Sequence, residues 1–308
     1  MKSENAKAAN DTEELFDPQF LERLRAMFLR LRKRKKLRRK GMQNTPATGY
    51  TREFKDYRSY TPDDDYRSID WRLYARLEKL FIRLYEEVQE FHLHIVVDAS
   101  ASMAQPFNEK RLSALRLGVA LGYLGLIGQH RVSLYSMREQ VVDEMPPLKG
   151  QGNINRVIDY FSKLEFGGAT HLRKCFKSFK PSRRRYGIIF VLSDLYGQDI
   201  GSAKEAIGHA IGWPGEIHMI HIFHPWERKP DLEGEIQLVD VETDEARKLW
   251  FTKRELKRYT DTYENYLKTV ERECISRQID YMQWTTDGSF EDLFLNLLSR
   301  GSALAGSA

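Results

Sequence analysis

Residues 91–102 read FHLHIVVDASAS, and residues 186–194 read YGIIFVLSD. Each is a short apolar run, Leu93–Val97 and Tyr186–Leu192, that stops at or just before an aspartate, Asp98 or Asp194. Runs this short and this uniformly apolar predict strands buried on both faces. Working outward, Lys110–Ile127 predicts a helix with Leu112, Leu115, Val119, Tyr123 and Ile127 as its stripe, and Val132–Ser136 predicts the next strand. Glu139–Met145 offers that strand a neighbour. Helices are expected at Asn153–Leu164, Leu172–Phe179, Ala203–Ala210, Lys253 to Arg277 and Phe290–Leu298. Strands are expected at Glu216–Phe223, Ile236–Val241 and Ile279–Thr285. Short apolar strands alternating with amphipathic helices argue for an α/β chain: a doubly wound, mostly parallel sheet flanked by helices.

The chain has 308 residues, 41% of them hydrophobic, enough for one large domain with a smaller addition. Its longest nearly apolar run, Leu117 to Gly128, is too short to cross a bilayer. Met1 leads into a polar, mixed-charge stretch rather than a signal peptide. Cys175 and Cys274 are too far apart for a metal knuckle and too few for a disulfide scaffold. These features predict a cytoplasmic protein, with a place at the periphery of the inner membrane left open.

The net charge of +5 is unevenly spread: residues 1–17 carry −3, residues 18–40 carry +10, and the rest carries −2. Asp17 and Pro18 suit a helix start, and Phe20, Leu21, Leu24, Phe28 and Leu31 recur at helical spacing before RLRKRKKLRRK at Arg30–Lys40. Such a basic helix can dock on the body of the protein, lie on an anionic membrane or acidic protein, or track a phosphate backbone. No aromatic-basic interleaving or base-reading module supports nucleic acid. Residues 41–49, with Gly41, Pro46 and Gly49, read as a linker.

Open parallel sheets bind ligands beyond the carboxyl ends of their strands. Asp98 begins DASAS, which spaces Asp98, Ser100 and Ser102 two apart, and Asp194 follows the other strand. Between them in sequence, Gly167-Gly168-Ala169-Thr170 forms a loop able to bring the Thr170 hydroxyl to the same place. One or two carboxylates with several hydroxyls suit a hard divalent cation, Mg²⁺ first and Mn²⁺ or Ca²⁺ as alternatives. Alone, Asp98 reads equally as a helix cap or a loop residue; the two strand-end aspartates and the glycine loop together point to a shared site.

This constellation resembles the metal-ion-dependent adhesion site of von Willebrand factor A-type domains. DASAS at 98–102 matches its first loop, Thr170 its second and Asp194 its third. The resemblance implies a von Willebrand factor A-like fold. Asp98, Ser100, Ser102 and Thr170 would coordinate the metal, and Asp194 would act directly or through water. A longer stretch, EFKDYRSYTPDDDYRSIDWRLYARLEKLFIRLYEE from Glu53 to Glu87, is similar to the signature that precedes the A-type domain in bacterial proteins of domain of unknown function 58. That family usually has Pro-Gly-Asp-Asp at the turn where this chain has Pro62-Asp63-Asp64-Asp65.

The resemblance implies an adaptor or chaperone accessory that works with a MoxR-type AAA+ ATPase, its metal accepting an acidic residue from a protein partner. Charge, composition and the resemblance together predict four parts: residues 1–48, a basic helical appendage and linker; 49–87, a signature segment packed on the main domain; 88–300, the A-type domain; and 301–308, a tail of small residues expected to be flexible. In the signature segment Arg58, Arg67, Arg72 and Arg76 alternate with Asp56, Asp64, Asp65 and Asp70. This predicts an ion-pair network tying it to the sheet, with Trp71 as a buried anchor; a partner-recognition surface is the alternative.

Enzyme readings fare less well. Ser100 with His171 or His221 and Asp194 could sketch a hydrolase, yet no G-x-S-x-G elbow surrounds Ser100. No glycine-lysine phosphate loop accompanies the cation site, which leaves Mg²⁺-dependent phosphoesterase activity a distant alternative. His218, His221 and His224 invite zinc, but i,i+3 spacing on a strand aims neighbouring side chains at opposite faces. A further alternative is a scaffold whose cation only stabilises the fold.

Overall fold

The computed structural model describes residues 19–27, 51–62, 64–88, 91–143, 145–181, 187–197, 200–239 and 246–300. The predicted cap at Asp17 and Pro18, the basic run from 28 to 40, the linker at 41–49, Asp63 and the tail at 301–308 lie outside these residues. A helix over 19–27 (α1) comes first. Strands β1 (Thr51–Ser59) and β2 (Phe81–Val88) then form an antiparallel ribbon with a helix α2 (Trp71–Leu77) in its connection.

The body follows as β3 (His92–Asp98), α3 (Asn108–Ile127), β4 (Arg131–Met137), β5 (Val141–Asp143) and β6 (Leu148–Lys149). Next come α4 (Ile154–Ser162), α5 (Leu172–Ser178), β7 (Gly187–Ser193), α6 (Ile200–Ala210), β8 (Glu216–Phe223) and α7 (Pro225–Arg228). A second ribbon, β9 (Gly234–Val239) and β10 (Ala246–Phe251), precedes α8 (Lys253–Ser276), β11 (Asp280–Thr285) and α9 (Phe290–Arg300).

The central sheet runs β11-β8-β7-β3-β4-β5, with β6 also on β4. From β11 to β4 every pairing is parallel, and only β5 and β6 run against β4. All residues of β3 and β7 are buried, as two covered faces require. Strand alternation divides them. Leu93, Ile95, Val97, Ile188, Phe190 and Leu192 face a core built with α1, α3, α4 and α9. Val96, Ile189 and Val191 face a second core built with α5, α6 and α8. Layers of helix, sheet and helix make this a doubly wound α/β fold.

The chain leaves β3 toward β4 on one side and returns to β7 on the other. The strand order therefore reverses beside β3, the kind of switch point beyond whose carboxyl strand ends open α/β sheets place their ligands. Helix α3 seals the first face closely, and a Cβ placed on Gly118 would lie 2.6 Å from Phe161 Cζ.

Three expectations need correction. The strand expected at Ile236–Val241 falls on β9, with residues 240 and 241 outside the described ones, and pairs with the unforeseen β10 in a ribbon separate from the sheet. Its side chains are mostly exposed, so no buried face marked β10 in the sequence. Trp71 is not a buried anchor: it is 59% exposed and meets Tyr74 edge-on. Among the described residues the arginines do not follow the expected alternation: Arg58 pairs with Asp64 and Arg83 with Asp70, both within the segment. Asp70 also caps α2 by accepting from the Arg72 and Leu73 amides, a local use that competes with any longer reach.

Candidate functional site

Asp98 is the last residue of β3 and is fully buried, held there by the register that sets Val97 beside Leu192 of β7. The next residue of β7, Ser193, donates its hydroxyl to Asp98 Oδ2 at 2.6 Å. Thr170 donates to Asp98 Oδ1 at 2.8 Å, and the Ser100 amide reaches the same oxygen at 3.1 Å. Ser100 and Ser102 hydroxyls lie 3.0 Å apart. Residues distant in sequence therefore meet: Asp98, Ser100, Ser102 and Thr170 share one hydrogen-bonded cluster.

The loops are fastened through their backbones as well. Ala101 N donates to Gly168 O and Gly167 N donates to Ala99 O, both at 2.9 Å, which joins the β3–α3 loop to the loop before α5. Gly168 holds φ at +73°, a conformation that glycine adopts without a Cβ penalty. The Ala99 amide extends the β3–β4 ladder by donating to Met137 O. These bonds fix the hydroxyls on rigid backbone, so little order remains to be imposed when a ligand arrives.

Asp194, the fifth predicted residue, is also fully buried one position past β7. Leu195 after it adopts a left-handed φ of 54°, and its amide is held by Ser193 Oγ at 2.8 Å. Asp194 Oδ1 accepts from the Tyr196 amide at 3.2 Å. Its Oδ2 accepts from Lys110 Nζ at 3.0 Å, and the same ammonium reaches Glu227 Oε1 at 2.6 Å. Lys110 lies in the first turn of α3 and Glu227 in α7, where it joins His224 in a reciprocal cap. The Lys110 ammonium also sits over the Tyr196 ring, 5.2 Å from its centre.

Sequence reasoning did not find Lys110, Glu227 or Ser193. Ser193 carried a usable signal, since it immediately precedes Asp194 at a strand end. Lys110 carried none, because a lysine at a helix start ordinarily reaches solvent.

The electrostatics follow from burial. The Asp98 carboxyl is pushed up to about 6, first by burial and then by the charge of Asp194, against the pull of the Ser193, Thr170 and Ser100 hydrogen bonds. Burial alone would lower the Lys110 ammonium; Asp194 and Glu227 more than offset it and raise its pKa. Glu227 is raised, with burial outweighing its lysine partner. Among the described residues no three His, Cys, Asp or Glu side chains gather where they could hold a metal. The oxygens gathered at Asp98 are instead its carboxylate and the hydroxyls of Ser100, Ser102, Thr170 and Ser193, a set that fits a hard cation and not zinc.

The histidines are engaged elsewhere: His218 Nδ1 with Asp280, His221 Nδ1 with the Tyr281 hydroxyl, and His224 stacked on Phe107. Cys175 is buried with its thiol donating to Arg138 O, and burial pushes that thiol up to about 12. No helix among the described residues is long and apolar enough to cross a membrane.

Among solved structures the chain is similar to BatB from Bacteroides thetaiotaomicron, at 13% identity and a TM-score of 0.38, covering 68% of this chain and 98% of that one. It is also similar to the vWF domain of the type V pili tip protein Mfa5 from Porphyromonas gingivalis, at 13% identity and a TM-score of 0.35, covering 70% and 96%. Among curated proteins it is 26% identical over 196 residues to Uncharacterized protein Mb1516 of Mycobacterium bovis and to Uncharacterized protein Rv1480 of Mycobacterium tuberculosis. The match covers 62% of this chain and 61% of each relative's length. The model of the family Protein of unknown function DUF58 matches residues 56–268, which takes in most of the signature ribbon, Asp98, Thr170, Asp194 and most of α8, and the chain belongs to that family.

Proposed function

We propose that the cleft beyond β3 and β7 is a protein-interaction site that holds a divalent cation, Mg²⁺ before Mn²⁺ or Ca²⁺, and presents it to an acidic side chain of a protein partner. The observation that carries this reading is the buried cluster of Asp98, Ser100, Ser102 and Thr170 on two loops stapled by reciprocal backbone hydrogen bonds. Asp98 would supply charge and Ser100, Ser102 and Thr170 neutral oxygens, with Asp194 beside them. Bound there, the cation supplies an electrophilic position for a carboxylate. Thr170 gives its proton to Asp98, so the lone pairs of its oxygen remain free to face a cation. The family resemblance extends the proposal to a MoxR-type AAA+ ATPase as working partner and to an adaptor or chaperone-accessory role.

The test compares wild type with Asp98→Ala in the presence of Mg²⁺ or a chelator. Millimolar Mg²⁺ should raise the melting temperature of wild type, as ligand linkage requires, and retain an acidic protein partner in a pull-down. Asp98→Ala should stay folded and lose both effects. A wild-type chain indifferent to Mg²⁺ ends the proposal. A variant that keeps the partner while losing only thermal stability would instead assign the cation to fold maintenance.

A further inference from the structure

Lys110 is a lysine with no exposed surface, and a buried ammonium is costly unless it is paired. Its partners are Asp194 Oδ2 at 3.0 Å and Glu227 Oε1 at 2.6 Å. The remaining oxygens of both carboxylates are also engaged: Asp194 Oδ1 by the Tyr196 amide, Glu227 Oε2 by the His224 amide at 2.8 Å. Around the ammonium stand the Tyr196 ring and Tyr259, whose hydroxyl donates to the Glu227 carbonyl at 2.6 Å. Asp194 therefore has a counter-ion that belongs to the chain itself. Direct ligation of a metal by Asp194 Oδ2 would leave the ammonium with Glu227 alone in a site shut off from water.

We infer that Lys110 is a positioning residue for the cation cleft: it occupies Asp194, confines it to an indirect role and so selects Mg²⁺ over Ca²⁺. The inference rests on the cation site proposed above. With Asp194 engaged, the inner donors are the Asp98 carboxylate and the hydroxyls of Ser100, Ser102 and Thr170. Mg²⁺ is satisfied by one or two carboxylates and several waters, whereas Ca²⁺ takes about six to eight oxygens and gains affinity with each added carboxylate. A cleft with a single inner carboxylate also keeps its cation under-neutralised, which favours capture of an acidic side chain from outside.

The experiment titrates the full chain with MgCl₂ and with CaCl₂, using calorimetry and thermal shift as readouts. Asp194→Asn should change Mg²⁺ affinity less than about threefold, while Asp98→Asn should lose more than about tenfold. The paired replacement Lys110→Met with Glu227→Gln removes one positive and one negative charge and frees Asp194 Oδ2. It should bind Ca²⁺ at least about tenfold tighter and reduce the preference for Mg²⁺. An Asp194→Asn chain as impaired as Asp98→Asn overturns the inference, as does a folded paired variant with unaltered Ca²⁺ affinity. If the paired variant does not fold, as circular dichroism would show, the two asparagine variants decide the matter by themselves. A wild-type chain that binds neither ion removes the cation site itself, and this role for Lys110 with it.

Discussion

His94 shows how a single side chain can make the fold sensitive to acid. It is fully buried in β3, stacks on His92 at 4.0 Å and pairs through Nδ1 with the Tyr135 hydroxyl at 3.0 Å. Among the described residues its Nε2 has no hydrogen-bond partner, so a proton placed there would be a buried charge without an acceptor. Burial, and then the charge of His92, lowers its pKa to about 3 from an ordinary 6.5. The unfolded chain binds that proton more readily, so the stabilisation is intact above pH 6.5 and is lost progressively as pH falls toward 3. Between pH 7 and pH 5 the loss amounts to about 2 kcal/mol. Urea unfolding should show wild type losing about that much more than His94→Phe over this interval; parallel losses would reject the assignment. At this same scale the sequence revealed Asp98, Ser100, Ser102, Thr170 and Asp194, because strand ends and a glycine loop announce themselves. It concealed Lys110, since nothing in KRLSALRLGVAL distinguishes an ammonium folded inward from one in water.

Helix α3 illustrates how an element can be read correctly in kind and incompletely in packing. Its apolar stripe predicted a helix, yet burial extends around most of its surface, as expected where a helix lies between a sheet and another helix. Gly118, Gly122 and Gly125 supply the close approach, each with a neighbouring side chain where a Cβ would fall: Phe161, Val157 and Val132. Alanine at Gly118 would gain helix propensity of about 1 kcal/mol but would have to displace Phe161, and overpacking costs about 1–3 kcal/mol. Gly118→Ala should therefore lower stability by up to about 2 kcal/mol. Gly208 in α6 has nothing within 4 Å of that position, and Gly208→Ala should stabilise by about 0.5–1 kcal/mol. Denaturant midpoints measured side by side check the contrast, and two changes of the same sign would contradict it. The sheet strands were legible because both of their faces are buried, which leaves an apolar run. The run at Ile236–Val241 also marked β9, whereas its partner β10 was not legible, because a strand with exposed side chains needs no such run. Trp250 in β10, at 66% exposure, is the plainest instance, a large apolar residue that the fold leaves in water.

At the scale of the whole molecule, α1 ties the chain ahead of the signature ribbon to the far side of the sheet. Phe20, Leu24 and Met27 are buried in the core shared by α3, α4 and α9, and Phe20 meets Phe290 edge-on with ring centres 5.3 Å apart. The helical spacing of Phe20, Leu21 and Leu24 made this face readable in advance. Its docking on α9 could not be read, because apolar spacing identifies a face and not the surface that covers it. The described part of the predicted basic helix is thus a core element, whatever its later residues meet. Two substitutions separate that role from charge. Leu24→Ala removes a side chain with no exposed surface and should cost about 2–5 kcal/mol, by lost transfer energy and the cavity left behind. Arg23 pairs with Glu291 at 3.6 Å with both side chains well exposed, and Arg23→Ala should change stability by less than about 1 kcal/mol. Thermal unfolding at low and high salt distinguishes the two contributions: the leucine effect should persist in salt, since hydrophobic burial is not screened. A Leu24→Ala chain that melts with wild type would show that α1 contributes nothing to the core it lines.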